Sequence, residues 1–478
     1  MKNFFSLKLY KEGLSQLRLM GFLTSFALIA AAVVVPVIAV LTFGVRSIDT
    51  DALATVTLFI FAYAWVAPLV LSFTLFSFLN SRRKSDFYHA LPVKRTALFG
   101  SFTAAVLTWT IITALLALIV STAVYASLGV MVLTSALTYL GAILPAIIFA
   151  TSAAVFAQAL SGTRFTSIVI YVLFIALPPL LKALFAEGVT SSVPSIPPGE
   201  VFQLGTNLFY TAYSWVDVSV QNILYTLAYA AVFFAAAAVF FLRRRSEVAG
   251  SSAISAWVQW LCRIALGFLT LVFLYFAYSF IFGAAQWVIV SAVVTTLVLL
   301  AFELISTRRI KNIVNVLPAL AASALSLVAF ITLVWGVAHF EARFSPQPSQ
   351  IQSFTISNVD EFMMPATDQQ MARLLQFQRD KTPISDDQLA QLLVAQLDEV
   401  NQTPSWGIVR WDSSNFDNGS WTITTDFNIT LQNGQTKLRR IPVGTVTDSF
   451  SDDDMNWSQD VSFNALGEAL AHYGGVRP

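Results

Sequence analysis

Charged residues are scarce in this chain of 478 residues, where Asp, Glu, Lys and Arg together make up only 12%. Soluble domains usually carry about 25% charged residues. Hydrophobic residues reach 56%, and the mean hydropathy is +0.69. A water-facing globule has too little interior to hide so much apolar surface, so we expect lipid to be the solvent of much of the chain.

Cysteine and histidine are almost absent as well. The one cysteine, Cys262, lies in an apolar run and has no partner for an internal disulfide. The three histidines, His89, His339 and His472, are far apart and have no cysteine or paired carboxylate at ligand spacing. The sequence therefore predicts no metal site.

Two kinds of energy-coupling chemistry are missing from the sequence. No GxxxxGK[ST] run occurs, so the chain has no P-loop to hold ATP phosphates. The apolar stretches also lack the series of Asp, Glu and His that proton-coupled transporters place within the membrane. We expect Arg308 to neutralise Glu303 and Arg263 to extend to the membrane interface. The sequence predicts no catalytic residue. A transporter without an energy source of its own needs a partner that supplies one.

Nine stretches are long enough to cross a membrane, which takes about 20 mostly apolar residues. They lie near 21–45, 55–79, 97–125, 131–160, 165–186, 221–242, 257–282, 286–305 and 314–338. Residues 1–20 alternate apolar and basic side chains, which favours an amphipathic helix in the membrane interface. A merely basic N-terminal tail is the alternative.

Basic residues are sorted along the chain in a way that predicts its orientation. Sixteen of the nineteen basic residues that precede His339 fall in the N-terminal segment and in 81–96, 161–164, 243–256 and 306–312. If the nine spans alternate in direction, all of these segments lie on the same side of the membrane. The positive-inside rule makes that side cytoplasmic. Residues 339–478 carry nine basic and eighteen acidic residues, and we expect them on the outer face.

The last 140 residues or so have the pattern of a small α+β domain. We predict a strand at Gln352–Ser357, helices at Asp368–Gln378 and Asp386–Gln396 with Ser385 as the N-cap of the second, and strands at Trp421–Leu431 and Gln435–Val443. The last two strands flank Asn433-Gly434, a strong hairpin signal. No nucleophile elbow or phosphate loop occurs, so the pattern favours an interaction role over catalysis.

The first predicted cytoplasmic loop, residues 81–95, combines five basic residues with an aromatic and apolar centre. The positive-inside rule accounts for the charge but not for Phe87, Tyr88 and Leu91, which would face water. Exposed aromatic side chains flanked by charges are typical of docking surfaces. We predict a short helix that ends before Pro92 and inserts these side chains into a groove on a cytoplasmic partner.

The stretch Asp86–Arg95, DFYHALPVKR, resembles the DFYHSLPxKR loop of ABC-2-type permeases that are common in Gram-positive bacteria. Weaker matches occur in the same order along the chain as in that family: the N-terminal segment, Ser161-Gly162 with Arg164, and the run Arg244–Gly250, which is similar to RxSExAG. The segment Leu431–Gln435 followed by Arg439-Arg440 is similar to an LxNGKxxxRxY hairpin. The chain departs from these patterns at Ala90, where the family has Ser, and at Ile441, where it has Tyr.

The resemblance implies a six-helix permease unit over 21–245 that exports a small molecule, drug or peptide. The chain departs from the minimal permease by adding three membrane helices over 246–338 and an extracytoplasmic α+β domain over 339–478, a domain that some family members carry. It implies a bacterial cell-membrane protein, as a homodimer or paired with a second permease, on separate ATPase subunits that hold ATP and Mg, with no cofactor in this chain. It assigns ATPase coupling to the loop residues Arg82, Arg83, Lys84, Asp86, Phe87, Tyr88, His89, Leu91, Pro92, Lys94 and Arg95.

An exporter would also need a path through its spans. Polar residues within them, Thr108, Thr110, Thr113 and Gln158, are candidates for that path, and helix-packing hydrogen bonds explain them equally well. Two other functions remain open. One is a membrane-anchored sensor or scaffold whose outer domain binds an extracellular ligand or peptide, and the other is a secondary transporter. No feature of the sequence indicates nucleic-acid binding.

Overall fold

The computed structural model describes residues 5–43, 52–90, 92–130, 133–193, 195–197, 220–244, 248–282, 287–308, 310–359, 369–381, 383–401, 420–451 and 456–473. The helices are α1 (Leu7–Phe43), α2 (Ala52–Phe76), α3 (Arg82–Ala90), α4 (Arg95–Ser127), α5 (Leu133–Leu160), α6 (Arg164–Ser192), α7 (Val220–Arg243), α8 (Ala256–Phe282), α9 (Trp287–Thr307), α10 (Val316–Ala342), α11 (Gln369–Asp380), α12 (Asp387–Asn401) and α13 (Ala465–Tyr473). Short 3-10 helices lie at Ser77–Asn80, Ile310–Asn315 and Pro348–Gln350.

Within these described residues, nine helices are long and apolar enough to cross a membrane: α1, α2 and α4 to α10. They coincide with the nine stretches predicted from hydropathy, so that prediction is confirmed. Together they give the chain the character of a multi-pass membrane protein. The chain divides into two compact units, one formed by Met1–Leu180, Phe209–Leu271 and Ser291–Ala324, the other by Leu181–Leu208, Val272–Val290 and Leu325–Pro478.

The N-terminal segment is helical, but it is not a separate element. The sequence predicted an interfacial helix over 1–20 and a span from residue 21, whereas α1 runs unbroken from Leu7 to Phe43. Gly21 lies at the expected boundary, and a Cβ there would come within 2.1 Å of the Trp109 ring. The glycine therefore serves the close approach of α1 to α4 and does not end the helix.

One end of the first unit is held together by an aromatic cluster. Its rings come from α2, the 3-10 helix after it, α4 and α7: Phe76, Phe78, Phe99, Phe102 and Phe241. Ring centroids within it lie 5.4–6.4 Å apart. Offset and edge-to-face contacts at this spacing each add about 0.5–1.5 kcal/mol beyond burial. The short helix α3, which follows the 3-10 helix Ser77–Asn80 in sequence, packs against this cluster.

The second unit contains a four-stranded antiparallel sheet in the order β1 (Ile351–Val359), β2 (Ser420–Leu431), β3 (Thr436–Ser451) and β4 (Asn456–Phe463). The predicted hairpin between β2 and β3 is confirmed, with Thr430 opposite Thr436. Gly434 has φ +81°, a left-handed conformation that glycine adopts without strain. The sheet buries Phe354, Phe427 and Ile441 against α11, α12 and α13.

The predicted cap of α12 is wrong by one residue. The side-chain oxygen of Asp386, and not that of Ser385, accepts hydrogen bonds from the backbone N–H groups of Gln388 and Leu389, at 2.9 and 3.0 Å. Both residue types cap helices well, so the sequence alone does not choose between neighbours. The choice follows from where the helix begins, at Asp387.

A buried charge cluster joins the end of α10 to β3 in the second unit. Arg439 is fully buried and donates through Nη2 to a Glu341 carboxylate oxygen at 2.8 Å. Lys437 lies 3.3 Å from the same oxygen, and the Arg439 guanidinium lies over the Phe344 ring at 4.7 Å. The last membrane-type helix of the chain is thus attached to the sheet by ion pairs.

Candidate functional site

The helix predicted within residues 81–95 is present as α3, and it ends at Ala90, before Pro92, as predicted. Its first helical hydrogen bond runs from the Ser85 N–H to the Ser81 carbonyl at 2.8 Å. A residue before proline is disfavoured in the helical conformation, which explains the end. Leu91, a predicted coupling residue, lies outside the described residues, and of Arg82 and His89 only the backbone is described.

One face of α3 is anchored to the rest of the unit through Tyr88 and Ser85. The Tyr88 ring stacks on the Phe78 ring of the aromatic cluster at a centroid distance of 4.3 Å and lies edge-on to Phe102 at 6.3 Å. Its hydroxyl oxygen accepts a long hydrogen bond of 3.5 Å from Gln16 on α1. Ser85 is buried. Tyr88 therefore faces the protein, a difference from Phe87 that no sequence signal indicates.

The opposite face of α3 carries an exposed aromatic ring. Phe87 is 63% exposed and lies edge-on to the Tyr88 ring at 5.7 Å. The other predicted coupling residues that are exposed beside it are Arg83, Lys84, Asp86, Pro92 and Lys94. An apolar ring on a short anchored helix, among mostly basic side chains, is an arrangement suited to a docking contact.

Arg95, the last residue of the predicted coupling set, contacts the end of another helix. Its Nη1 donates hydrogen bonds to the carbonyl oxygens of Leu242 and Arg244, at 3.2 and 3.1 Å. These carbonyls lie at the end of α7, where the last carbonyl groups have no partner within the helix. A cation there is stabilised by the helix dipole. Arg95 thus ties the start of α4 to the end of α7.

Arg244 performs a similar function from a buried position. Its guanidinium donates to the carbonyls of Gln158 and Ala159 at the end of α5, at 2.8 and 3.1 Å, and to the carbonyl of Leu79 at 2.8 Å. Burial lowers the pKa of Arg244 to about 10, so it stays protonated at neutral pH. From the sequence, Arg244 contributed only to the predicted membrane orientation and to the family resemblance. Its hydrogen bonds to backbone carbonyls could not be predicted, because every residue has a carbonyl group.

Two of the weaker resemblance segments, 161–164 and 244–250, contact each other through their described residues. The Gly250 N–H donates to the Gly162 carbonyl at 2.9 Å, and the Ile254 N–H donates to the Leu160 carbonyl at 2.8 Å. A Cβ on Gly162 would lie 2.2 Å from the Ser251 carbonyl oxygen, so only glycine fits there without a shift. Segments that are distant in sequence thus form one surface.

A polar groove of about 460 Å³ connects α3 to this surface. Three basic residues line it, Lys84 on α3, Arg164 at the start of α6 and Arg308 after α9, together with Asn80 and Thr163. No carboxylate of a described residue is among its lining residues. The groove is therefore positively charged, and it extends the basic surface around Phe87.

The predicted path residues divide into two groups. Thr108 and Thr113 line an apolar cavity of about 450 Å³ between α1 and α4. Thr108 accepts a hydrogen bond from the Tyr10 hydroxyl at 3.1 Å, and the hydroxyls of Thr113 and Ser25 are 2.7 Å apart. These bonds join α1 to α4, as helix-packing hydrogen bonds do.

The other two residues do not line this cavity. Thr110 is fully buried and donates to the carbonyl of Val106 in its own helix at 2.9 Å. Gln158 is buried at the end of α5, where its side-chain oxygen lies 3.5 Å from the Asn80 amide. The structure thus brings together only two of the four path candidates.

The expected roles of the intramembrane charges are corrected by the structure. Glu303 pairs with Arg263 and not with Arg308: Arg263 Nε and Nη2 each lie 2.8 Å from a carboxylate oxygen. Both side chains are buried, so Glu303 holds the Arg263 guanidinium inside the unit and Arg263 does not extend into solvent. The partners are 40 residues apart on α8 and α9, and a sequence window of one helical turn cannot detect such a pair.

Among the described residues, no group of three or more His, Cys, Asp or Glu is placed to hold a metal ion. Comparisons of the chain with protein-family models, with curated proteins and with solved structures found no match.

Proposed function

We propose that this chain is the membrane-spanning subunit of an ABC transporter, an ABC-2-type permease that acts with separate ATPase subunits. The observation that carries the proposal is α3: a short helix held against an aromatic base by Tyr88, with Phe87 exposed on its outer face. A coupling element has to move as one body with the spans it drives. The stacking of Tyr88 on Phe78 supports that requirement, and the exposure of Phe87 supports a docking contact.

The surroundings of α3 support the same proposal. Arg95 and Arg244 tie the ends of α4, α5 and α7 to one another next to the loop, so that a force on the loop would reach several spans. Three of the five stretches that resemble family motifs, 86–95, 161–164 and 244–250, lie at this end of the unit. A basic groove beside α3 is complementary to an acidic partner surface.

Within this proposal, α1, α2 and α4 to α7 form the six-helix permease unit, in a homodimer or paired with a second permease. The three further helices and the sheet domain are additions, and the N-terminus is cytoplasmic with the sheet domain on the outer face of a bacterial cell membrane. The transported substrate is a small molecule, drug or peptide, and the direction is export. ATP and Mg bind in the partner chain, and this chain performs no catalysis.

The direct test is to search the neighbouring reading frames for a P-loop ATPase and to co-express each one found with this chain. We expect the full-length chain to capture the ATPase and to change its rate of ATP hydrolysis. Phe87→Ala should weaken the association about tenfold or more, since burial of an aromatic side chain contributes roughly 1.5–3 kcal/mol. The fold should be unaffected, because Phe87 is exposed.

Phe5→Ala is the matched control, because Phe5 is a half-exposed phenylalanine that precedes α1 and is not part of α3. It should leave association and hydrolysis unchanged. Retention of both properties in Phe87→Ala would contradict the docking role of α3. Failure of the unmodified chain to associate with any ATPase would contradict the proposed function as a whole.

A further inference from the structure

A second cavity in the first unit, of about 780 Å³, plays no part in the proposed coupling. It lies among the end of α7, the segment 248–255, the start of α8, the end of α9 and the 3-10 helix Ile310–Asn315. The apolar stretch of α7 ends at Arg243, that of α8 begins at Ala256 and that of α9 ends at Thr307. The cavity is therefore at the level where membrane-type helices end.

Two arginine side chains give the cavity wall hydrogen-bond donors for an anion, and Glu303 balances the charge of one of them, Arg263. Arg243 and Arg263 line it, and no carboxylate of a described residue does. The pair with Glu303 uses Nε and Nη2 of Arg263, which fixes the guanidinium in place without using Nη1. Arg243 is exposed at the last position of α7. An anion in the cavity would therefore meet one fixed and one adjustable guanidinium, the side chain that best matches phosphate geometry.

A buried amide on the cavity wall has an unsatisfied hydrogen-bonding group. Gln259 is only 4% exposed; its nitrogen donates to the Ser306 hydroxyl at 3.2 Å, and its oxygen has no partner. The Ser306 hydroxyl donates to the Glu303 carbonyl at 3.4 Å, a long bond. If it donates to the Gln259 oxygen instead, the amide is turned and its NH₂ group is the one left unpaired. Leaving such a group unpaired costs about 1–3 kcal/mol, which a polar ligand would recover.

The N-terminus of α8 also opens into the cavity. The Ser255 hydroxyl accepts a hydrogen bond from the Val258 N–H at 3.3 Å. The first backbone hydrogen bond of the helix runs from the Gln259 N–H to the Ser255 carbonyl. The N–H groups of Ala256 and Trp257 come before that bond and have no acceptor within the helix. The positive end of the helix dipole adds to the attraction for an anion.

We propose that this cavity binds the phosphate group of an anionic glycerophospholipid. Two guanidinium groups, the buried amide and the helix N-terminus supply donors to the phosphate oxygens. Trp257, which is 70% exposed, and Leu261, which is half-exposed, continue along α8 and offer apolar surface to the acyl chains. Tryptophan at this level is typical of a membrane interface. A free phosphate ion would make no use of that apolar surface. The inference does not depend on the proposed transport function.

The test uses the full-length protein, delipidated in a neutral detergent, and measures Tm as a function of added ligand. Dioctanoyl phosphatidylglycerol should raise Tm in a saturable manner, because a ligand that binds only the folded state stabilises it. Dioctanoylglycerol, which lacks the phosphate, and inorganic phosphate at the same concentration should not. Arg243→Gln should raise the lipid concentration for half of the maximal shift about tenfold, the factor expected for one charge-assisted hydrogen bond.

Arg243→Lys keeps the charge and should restore most of the affinity. Lys311→Gln is the matched control, because Lys311 is a basic residue of the adjoining 3-10 helix that does not line the cavity. It should bind the lipid like the unmodified protein. Equal stabilisation by dioctanoylglycerol, an equal shift with inorganic phosphate, or unchanged affinity in Arg243→Gln would each overturn the proposal.

Discussion

The buried ion pair between Arg263 and Glu303 makes a quantitative prediction about the packing of α8 on α9. Glu303→Gln keeps the size of the side chain but removes its charge, and it leaves the Arg263 guanidinium buried without a counter-ion. The two 2.8 Å charge-assisted hydrogen bonds of the pair are also weakened. We expect this single change to loosen the contact between the two helices.

The expected size follows from the burial of both partners. Their side chains are 7% and 0% exposed, so solvent screens the pair very little. Removing one partner of such a pair costs about 3–5 kcal/mol, because the remaining charge stays buried and unpaired. Replacing both with apolar residues, Arg263→Met with Glu303→Leu, is close to neutral by the same reasoning. The double variant should therefore be much more stable than either single variant.

The chain provides a local reporter for this measurement. Cys262 is its only cysteine, it precedes Arg263, and it is buried in a cluster that includes Phe302, the neighbour of Glu303. A fluorogenic maleimide reacts with this thiol only when the packing between α8 and α9 opens. A loss of about 3 kcal/mol should accelerate labelling roughly 100-fold, since 1.4 kcal/mol corresponds to a factor of ten. The double variant should label within about tenfold of the unmodified protein.

Asp426→Asn is the matched control, because it removes the charge of a carboxylate that pairs with Arg440 in the second unit. It should leave the labelling of Cys262 unchanged. The reasoning is refuted if Glu303→Gln labels within twofold of the unmodified protein. It is also refuted if the double variant labels as fast as the single ones, since the cost would then not arise from an unpaired charge.

Two further changes test local features. Asp386→Ala removes the cap of α12 at a cost of about 1 kcal/mol. The backbone amides of Gln388 and Leu389, which Asp386 caps, should then exchange hydrogen roughly fivefold faster. Unchanged exchange would contradict the cap. Gly162→Ala places a Cβ 2.2 Å from the Ser251 carbonyl oxygen and should lower stability by about 1–3 kcal/mol. Gly336→Ala is the control, because a Cβ at this helical position has no neighbour within 4 Å apart from the adjacent residues and the backbone of its own helix. It should not lower Tm, and equal losses in both glycine variants would contradict the close-contact argument.

Much of the fold could be predicted because its signals are local. Hydropathy located the nine long helices to within a few residues at most ends, and Asn433-Gly434 located the hairpin of the sheet. The break expected near residue 20 is absent, because Gly21 is explained by a contact with Trp109 on another helix. A glycine in a sequence does not reveal whether it ends a helix or admits a neighbour.

The candidate site could be predicted only in part for a similar reason. Proline and charge predicted where α3 ends and that its surroundings are basic. They could not separate Phe87 from Tyr88, because both are aromatic and adjacent, and only the position of Phe78 turns one inward and leaves the other exposed. Arg95 was grouped with the loop by sequence, but its hydrogen bonds hold the end of α7.

By itself, the sequence determined the membrane character of this protein, because that character follows from composition. It also determined the long apolar helices and the short helix α3, because each of these depends on residues within a few turns of one another. Only the tertiary structure decided which charges pair and where the cavities lie. Arg263 meets Glu303 across 40 residues, and Arg244 meets the carbonyl of Leu79 across 165. Such contacts depend on how helices pack, and backbone carbonyls are the same in every residue, so no local pattern encodes them.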